Sequence, residues 1–450
     1  MDTKQLRQKI LDLAIRGKLV PQDPNDEPAS VLLERVKAEK ERLIAEGKIK
    51  RSKKSASSSD KPHYPFEIPN TWVWTTLGEL FILQAGKNIT ADKINYEKND
   101  EYRYPCYGGN GIRGYVVHYN KSGKYPIVGR QGALCGNLNY VEGKFYATEH
   151  AVPVETFAET IPYLAFLFLK QINLNQYATA TAQPGLSVNK ILDVPIPLPP
   201  KEEQARIVQE VLRLEAIVES IETNKEELFK SLSKVKATIL EYAISGKLVQ
   251  QDPSDEPAEV LLKRVNPNAV VSADTSHYAL PTSWAWVKGK DLFLPMKSTR
   301  PTGHTFKYID IDSIDNVNQC VSAIKVLPSD QAPSRASRFT EKNNILFSMV
   351  RPYLRNIAIV TEEGCIASTG FYVCRQRECL DHKYLYYLMT SKYVVDGLNS
   401  FMKGDNSPSI NKGNVDEYVF PLPPLNEQKR IAAKVDELFA VIDQIQQSLE

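Results

Sequence analysis

The sequence predicts α/β (α+β) domains in tandem, separated by long antiparallel coiled-coil helices, in a cyclic pseudo-two-fold repeat. Three observations lead there. First, no Gly or Pro interrupts residues 201–245, and Ile207, Val211, Leu214, Val218, Ile221, Lys225, Leu228, Leu232, Val235, Ile239 and Tyr242 recur in steps of four and three. That is a heptad seam with one polar break at Lys225. Second, the Pro-Leu-Pro-Pro that opens this run at 197 returns at 421, followed by Ile431, Val435, Leu438, Ile442, Ile445 and Leu449 at the same steps. Third, residues 10–36 match 239–265 at a constant offset of 229, with 20 of 27 positions identical. The second copy of the helix stops with the chain, and its missing part stands at the N-terminus. Self-similarity on this scale sets the architecture before any motif does.

Each element has a local reason. Pro199 and Pro200 suit a helix start, and Glu202 and Glu203 suit the positive end of its dipole. Gly246 suits its stop. Prolines 21, 24 and 28 make a coil that leads into a short helix over 29–36 and a charged helix over 34–47. Residues 37–61 carry nine Lys/Arg against four Asp/Glu and end in a serine run, a solvated basic linker or an arm for nucleic acid. Trp72-Val-Trp74 and Trp284-Ala-Trp286 open two globular stretches, and these pairs read as core packing. Between 82 and 196 the chain is rich in Gly, Tyr and Asn. Strands are expected at 115–119 and 126–128, tight turns at 107–114 and 129–132, and an apolar helix at 161–170. The second stretch repeats the outline with a strand at 344–351, a loop at 351–356 and a helix at 384–389. Leu186-Ser187-Val188-Asn189-Lys190 and Pro408-Ser409-Ile410-Asn411-Lys412 close the two stretches.

Composition narrows the function classes. The 450 residues, 42% apolar and 24% charged, are those of an ordinary globular chain of about three domains. A net charge of +2 argues against unaided polycationic binding to phosphates. No apolar run reaches a membrane span, no signal peptide opens the sequence, and six scattered cysteines without Cys-x-x-Cys fit a reduced cytoplasmic protein without a metal site. Nucleotide-loop and His-Glu-x-x-His motifs are absent, so no catalytic residue is assigned. His150 beside Glu149 reads as a packed or capping histidine rather than a general base.

The chain resembles the specificity subunit of type I restriction–modification systems. The resemblance spans nearly the whole sequence. It rests on two unlike globular stretches held between repeated helices and on Pro-Leu-Pro-Pro-x-x-Glu-Gln-x-x-Ile at both helix starts. It also rests on Gly-Lys-Leu-Val, on Thr148-Glu149-His150-Ala151, and on the string at 345–354. It implies target-recognition domains at 62–196 and 277–420. Around them lie an N-terminal helical region with basic linker (1–61), a central coiled-coil helix with linker (197–276) and a C-terminal helix (421–450). It further implies double-stranded DNA as ligand, two methylation subunits, and two restriction subunits bound through them. The cofactors S-adenosylmethionine and ATP with Mg would be used by those partners, with none in this chain. The Asn/Asp-Pro-Pro-Tyr/Phe string of adenine amino-methylation is missing; Arg351-Pro352-Tyr353 comes nearest and lacks its first residue type.

Base contact is expected from forked donors on turns, since Arg fits guanine O6/N7 and Asn or Gln fits adenine N6/N7, while Lys positions phosphate. In the first stretch these are Lys87, Asn88, Asn110, Arg113, Arg130, Gln131, Gln183 and Asn189. In the second they are Lys297, Arg300, Arg351, Arg355, Lys403, Asn406 and Asn411. The seam residues given above, from Ile207 to Ile239 and from Ile431 to Leu449, are expected to hold helix partners. The rival expectations are an enzyme fused to a coiled coil, and a coiled-coil scaffold or truncated silent variant that reads no DNA.

Overall fold

The computed structural model describes residues 2–49, 65–132, 134–157, 159–179, 185–272 and 278–449. The basic run at 50–61, together with His63, Tyr64, Gln183 and His277, lies outside them. Contacts divide the chain into two units, Met1–Asn224 and Lys225–Glu450. The division falls inside the 44-residue helix Lys201–Ile244.

The first unit starts with helices α1 (Thr3–Ile15) and α2 (Ala29–Ala45). The two helices expected between 29 and 47 are thus one. Strand β1 (Val73–Thr76), the one-turn helix α3 (Leu77–Leu80) and β2 (Ile82–Leu83) follow. Then come β3 (Tyr104–Gly108), β4 (Gly111–Val116), β5 (Lys121–Gly129), β6 (Leu138–Ala147) and β7 (Ala151–Glu155). Helices α4 (Pro162–Ile172) and α5 (Val188–Ile191) and strand β8 (Pro195–Leu198) lead into α6, the long helix. The sheet runs β2-β7-β5-β6-β3-β4, and β8 returns to pair with β1. The strand expected at 115–119 ends at Val116 and begins at Gly111, inside the expected turn. A register shift at Cys106/Tyr107 lets the β3–β4 hairpin turn earlier than the glycines alone suggest.

The second unit repeats the frame with a different middle. It holds α7 (Ala258–Val265), β9 (Ala285–Lys288), α8 (Gly289–Leu292) and β10 (Phe293–Leu294). Next are β11 (Thr305–Ile309), β12 (Ile314–Asp315), β13 (Cys320–Val321), β14 (Lys325–Pro328) and β15 (Ala336–Phe339). They are followed by β16 (Ile345–Ser348), β17 (Ile357–Ile359), β18 (Cys365–Ser368) and β19 (Phe371–Gln376). Helices α9 (His382–Thr390), α10 (Lys392–Asn399) and α11 (Lys412–Glu417), strand β20 (Val419–Leu422) and α12 (Leu425–Leu449) complete it. Two four-stranded sheets, β10-β19-β16-β17 and β14-β11-β18-β15, replace the six-stranded one, and β20 pairs with β9 as β8 does with β1.

Helix pairing is antiparallel within each unit. Arg7 reaches Glu222 at 2.8 Å, while Gln22, after the same α1, reaches Glu203 at 2.6 Å. In the second unit Lys236 meets Asp443 at 2.5 Å and Gln251 meets Glu427 at 2.6 Å. The long helix is therefore shared: its first half pairs with α1 and its second half with α12. Ile207, Val211 and Val218 are buried, with Leu214 and Ile221 half-buried. In the second half Leu232 is buried and Ile239 half-buried, but Leu228 and Val235 are exposed, and the apolar stripe continues through Leu240, Ala243 and Ile244. A straight helix drifts against a 3.5-residue repeat. Here Lys236 faces Asp443 and Val235 turns outward. On α12, Ile431, Val435 and Ile442 are buried, Leu438 and Leu449 half-buried, and Ile445 exposed.

Each unit closes on the same polar joint, and the joint explains the repeated strings. Gly17 ends α1 with φ +65°, and Lys18 N–H donates to Leu13 O at 2.9 Å. A Cβ there would lie 2.5 Å from Pro69 Cγ; at Gly246, φ +72°, it would lie 2.4 Å from Pro281 Cγ. Past the turn, Asp26 is buried and takes a forked ion pair from Arg206 at 3.1 and 2.5 Å; Asp255 takes its equivalent from Arg430 at 3.4 and 2.7 Å. Beside it the wholly buried Glu203 carboxylate accepts Trp72 Nε1–H at 2.8 Å and Gln22 Nε2–H. Glu427 likewise accepts Trp284 Nε1–H at 3.0 Å and Gln251 Nε2–H. Gln204 fixes the next turn: its amide donates to Pro199 O and its oxygen accepts Ile161 N–H. Gln428 donates to Pro423 O and accepts Asp381 N–H.

Two outcomes follow for stability. Trp72→Phe leaves one buried carboxylate oxygen without its donor, and a lost hydrogen bond to a charged group costs roughly 2 kcal/mol, measurable by chemical denaturation. Burial raises Glu203 and Glu427 above the usual carboxylate range, partly opposed by their indole and amide donors. The native state thus binds more protons than the unfolded chain in the weakly acid range. Their contribution to stability is complete below the unfolded pKa and is lost as pH rises through the folded one. Replacing both with Gln should flatten that part of a thermal-midpoint profile against pH.

Candidate nucleic-acid interface

In the first unit, backbone hydrogen bonds gather the expected base-reading residues at one end of the sheet. Gly86 N–H donates to Ala151 O and Lys87 N–H to Ala147 O, which brings Lys87 and Asn88 to the β6–β7 turn. That turn is Thr148-Glu149-His150, held by Thr148 N–H to Tyr107 O at 3.0 Å. Arg130 N–H donates to His150 O at 2.9 Å, and Leu186 N–H donates to Arg130 O at 2.8 Å. Gln131 bridges to Gly185 and is exposed. Asn110, at the tip of the β3–β4 hairpin, lies beside Gly132. Arg113 is exposed on β4, and Asn189 is exposed on α5.

Not all of these side chains are equally available. The Arg130 guanidinium is half-buried and aims at two backbone carbonyls, Leu186 O at 3.5 Å and Glu149 O at 3.4 Å. His150 Nε2 lies 3.2 Å from Glu149 Oε1, so the histidine meets a carboxylate of its own turn.

In the second unit the corresponding ladder runs through β15, β18 and the turn after β16. Phe339 N–H donates to Lys297 O, Thr299 N–H to Ser337 O, Thr369 N–H to Arg335 O and Met349 N–H to Gly370 O. Ser409 and Lys403 exchange both backbone hydrogen bonds at 3.0 Å, and Arg351 N–H donates to Pro408 O. Lys297, Arg300, Arg351, Lys403 and Asn406 are exposed around this ladder. Among the described residues none of these four cations has a carboxylate at ion-pair distance. Lys297 Nζ sits 6.0 Å from the Phe339 ring centroid. Arg351 Nη2 reaches Asn406 O at 2.9 Å. Arg355 is half-buried on Thr390 O, and burial lowers its pKa. The Asn411 side-chain oxygen caps α11 through Asn414 N–H at 3.1 Å.

The structure adds residues that a search for forked donors passes over. Arg335 and Arg338 join the cationic ladder through β15. Tyr353 and Leu354 stand exposed at 46% and 40% between Arg351 and Arg355. Their signal was present in the string Arg-Pro-Tyr-Leu-Arg, where apolar residues sit in a turn. Among the described residues there is no cluster of three or more His, Cys, Asp or Glu able to hold a metal, and no helix long and apolar enough to cross a membrane.

Comparison with known proteins decides the family. Residues 69–230 and 284–450 match the domain described as type I restriction modification DNA specificity domain. The chain belongs to that family. The two matched segments correspond to the two units. The specificity subunit of the type I restriction enzyme EcoAI from Escherichia coli is 25% identical over 533 residues, spanning 98% of this chain and 90% of its own length. The EcoprrI specificity subunit, also from Escherichia coli, is 42% identical over 166 residues, 37% of this chain and 41% of its own. A solved structure titled for complex assembly and conformational transition of the type I R-M system shares the fold, with a TM-score of 0.55, 18% identity, and coverage of 86% of this chain and 94% of the other.

Arg351 and Arg355 both hold left-handed backbone, φ 47° and 58°. A non-glycine residue there costs on the order of 1–2 kcal/mol. Arg351→Gly should therefore leave the thermal midpoint unchanged or raise it, while removing an exposed cation from this face.

Proposed function

We propose that the chain is the non-catalytic recognition subunit of a type I restriction–modification complex, reading a split double-stranded DNA target with one half-site per unit. The observation that carries this reading is the contrast between the two units. Their joints match residue for residue, from Gly17/Gly246 to Arg206/Arg430, while the faces beside them differ in sheet number and in side chains. The like helices that these joints hold offer two equivalent docking surfaces to two copies of one methylation subunit. Restriction subunits would bind through these. Two unlike faces give unlike half-sites, with Lys and Arg positioning phosphates and Arg, Asn and Gln contacting base edges. Adenine would be flipped and methylated at N6 in the partner, which holds S-adenosylmethionine, and ATP with Mg would serve the restriction subunits. The reading places the complex in the cytoplasm, where its DNA is.

Co-expression with a methylation subunit, followed by sequencing of modified adenines, tests it. A single split motif with fixed spacing is expected, and exchanging residues 62–196 for those of another allele should change one half of it only. Complex formation without any methylated motif would instead leave a coiled-coil scaffold. With the purified complex, binding titrations at several salt concentrations should show Arg351→Gly weakening DNA binding and reducing its salt slope by about one.

A further inference from the structure

One turn is built identically in the two units although its residues differ. In the first unit it leaves β5 and returns to β6; in the second it joins β16 to β17. Equivalent residues lie 219 apart. Gly129 N–H donates to Asn137 O at 2.9 Å, and Ser348 N–H to Asn356 O at 3.1 Å. Cys135 N–H donates to Gly132 O at 2.9 Å, and Leu354 N–H to Arg351 O at 2.9 Å. The residue after each strand is clamped on both sides. Arg130 lies between His150 O and Leu186 N–H, and Met349 between Gly370 O and Ile410 N–H. Left-handed backbone falls at the same two places, Gly132 and Gly136 with φ 91° and 87°, and Arg351 and Arg355 with φ 47° and 58°. A frame kept this closely, with the glycines exchanged for strained arginines in one copy, marks a functional loop rather than a packing solution.

The tips of the two turns are apolar and exposed. Leu134 is 57% exposed in the first unit, and its equivalent Tyr353 is 46% exposed beside Leu354 at 40%. In the second unit this apolar tip rises from a face that bears Lys297, Arg300, Arg351 and Lys403, four cations without an ion-pair partner among the described residues. Unpaired cations suit a polyanion, and phosphates have no use for a leucine or an aromatic ring. Base edges do: the thymine methyl and the faces of unstacked bases are apolar. We propose that Tyr353 with Leu354, and Leu134 at the equivalent point of the first unit, are specificity-determining residues that touch bases in their half-sites by apolar contact. This rests on the recognition reading above and assigns within it the elements that select the base.

The test uses the full chain co-expressed with the methylation subunit, with the methylated motif read from host DNA. Tyr353→Ala/Leu354→Ala should relax one or two base positions of a single half-site by about tenfold, leaving the other half unchanged. Leu134→Ala should do the same in the opposite half. Tyr353→Phe, which keeps the ring, should retain the parental motif. A motif unaltered by the double substitution overturns the proposal, as does uniformly weaker methylation with the motif intact, which would mean a backbone contact. Loss of complex assembly with unchanged thermal stability overturns it too, because the tip would then face a protein. Absence of any motif with the unsubstituted chain sinks the recognition reading itself and is recognised before any variant is made.

Discussion

Everything positional in each unit depends on a buried carboxylate. Glu203 and Glu427 are fully enclosed, and an enclosed carboxylate is tolerated only when its oxygens are supplied with donors. The donors come from segments far apart in the chain. For Glu203 they are the indole of Trp72, at the start of the globular part, and the amide of Gln22, beyond the N-terminal helix. The carboxylate therefore ties helix start, sheet and N-terminal coil at one point. The Arg206–Asp26 pair and Pro69 against Gly17 hold the same three segments. With the joint closed, β1 and β8 are brought together, and β8 runs directly into the start of α6.

This constraint separates what can change from what cannot. Any substitution at Gly17, Trp72, Glu203 or Arg206 leaves a clash, a bare acceptor or an unpaired charge in the interior. Beyond the sheet the demands are only those of backbone closure. The β5–β6 and β16–β17 turns meet them with the same hydrogen bonds while carrying Gly-Ala-Leu-Cys-Gly in one unit and Arg-Pro-Tyr-Leu-Arg in the other. The second unit goes further and rebuilds its sheet as two smaller ones while keeping the β9–β20 closure and the joint.

The long helix, the repeat and the antiparallel arrangement were legible in the sequence because each depends on periodicity or identity along the chain. The partner was legible as well, since the second copy of the seam, split between the two termini, supplies α1 and α12 against α6; which seam positions face inward was not, because a heptad count marks an apolar stripe only approximately. Val235 stands in the seam by counting and on the surface in fact, since a straight helix drifts off a 3.5-residue count and the buried stripe passes to Leu240, Ala243 and Ile244. The joint was visible only as repeated strings; Gly-Lys-Leu-Val and Asp-Glu-Pro-Ala carry no sign that they meet Trp72 and Glu203. The family resemblance held; among the candidate donors, Arg113 lies on β4 and Asn189 on α5 rather than on turns, and Gln183 is outside the described residues. Which donors remain free is a matter of side-chain geometry: Arg130 spends its guanidinium on two carbonyls, and Asn411 spends its oxygen on a helix cap.

Net charge now has a structural account. A chain at +2 has little long-range pull on DNA. Many of its charges are neutralised locally along the helices and joints, as in Arg7–Glu222, Arg213–Glu210, Lys383–Asp436 and Arg430–Asp255. Among the described residues Lys297, Arg300, Arg351 and Lys403, exposed around the β15–β18 ladder and the turn after β16, have no ion-pair partner, and neither do Lys87 and Arg113 in the first unit. Local concentration of unpaired charge, with apolar tips among it, favours contact that is weak in general and discriminating in detail. That is the balance a reader needs if it must leave most sites quickly and hold only the matching one.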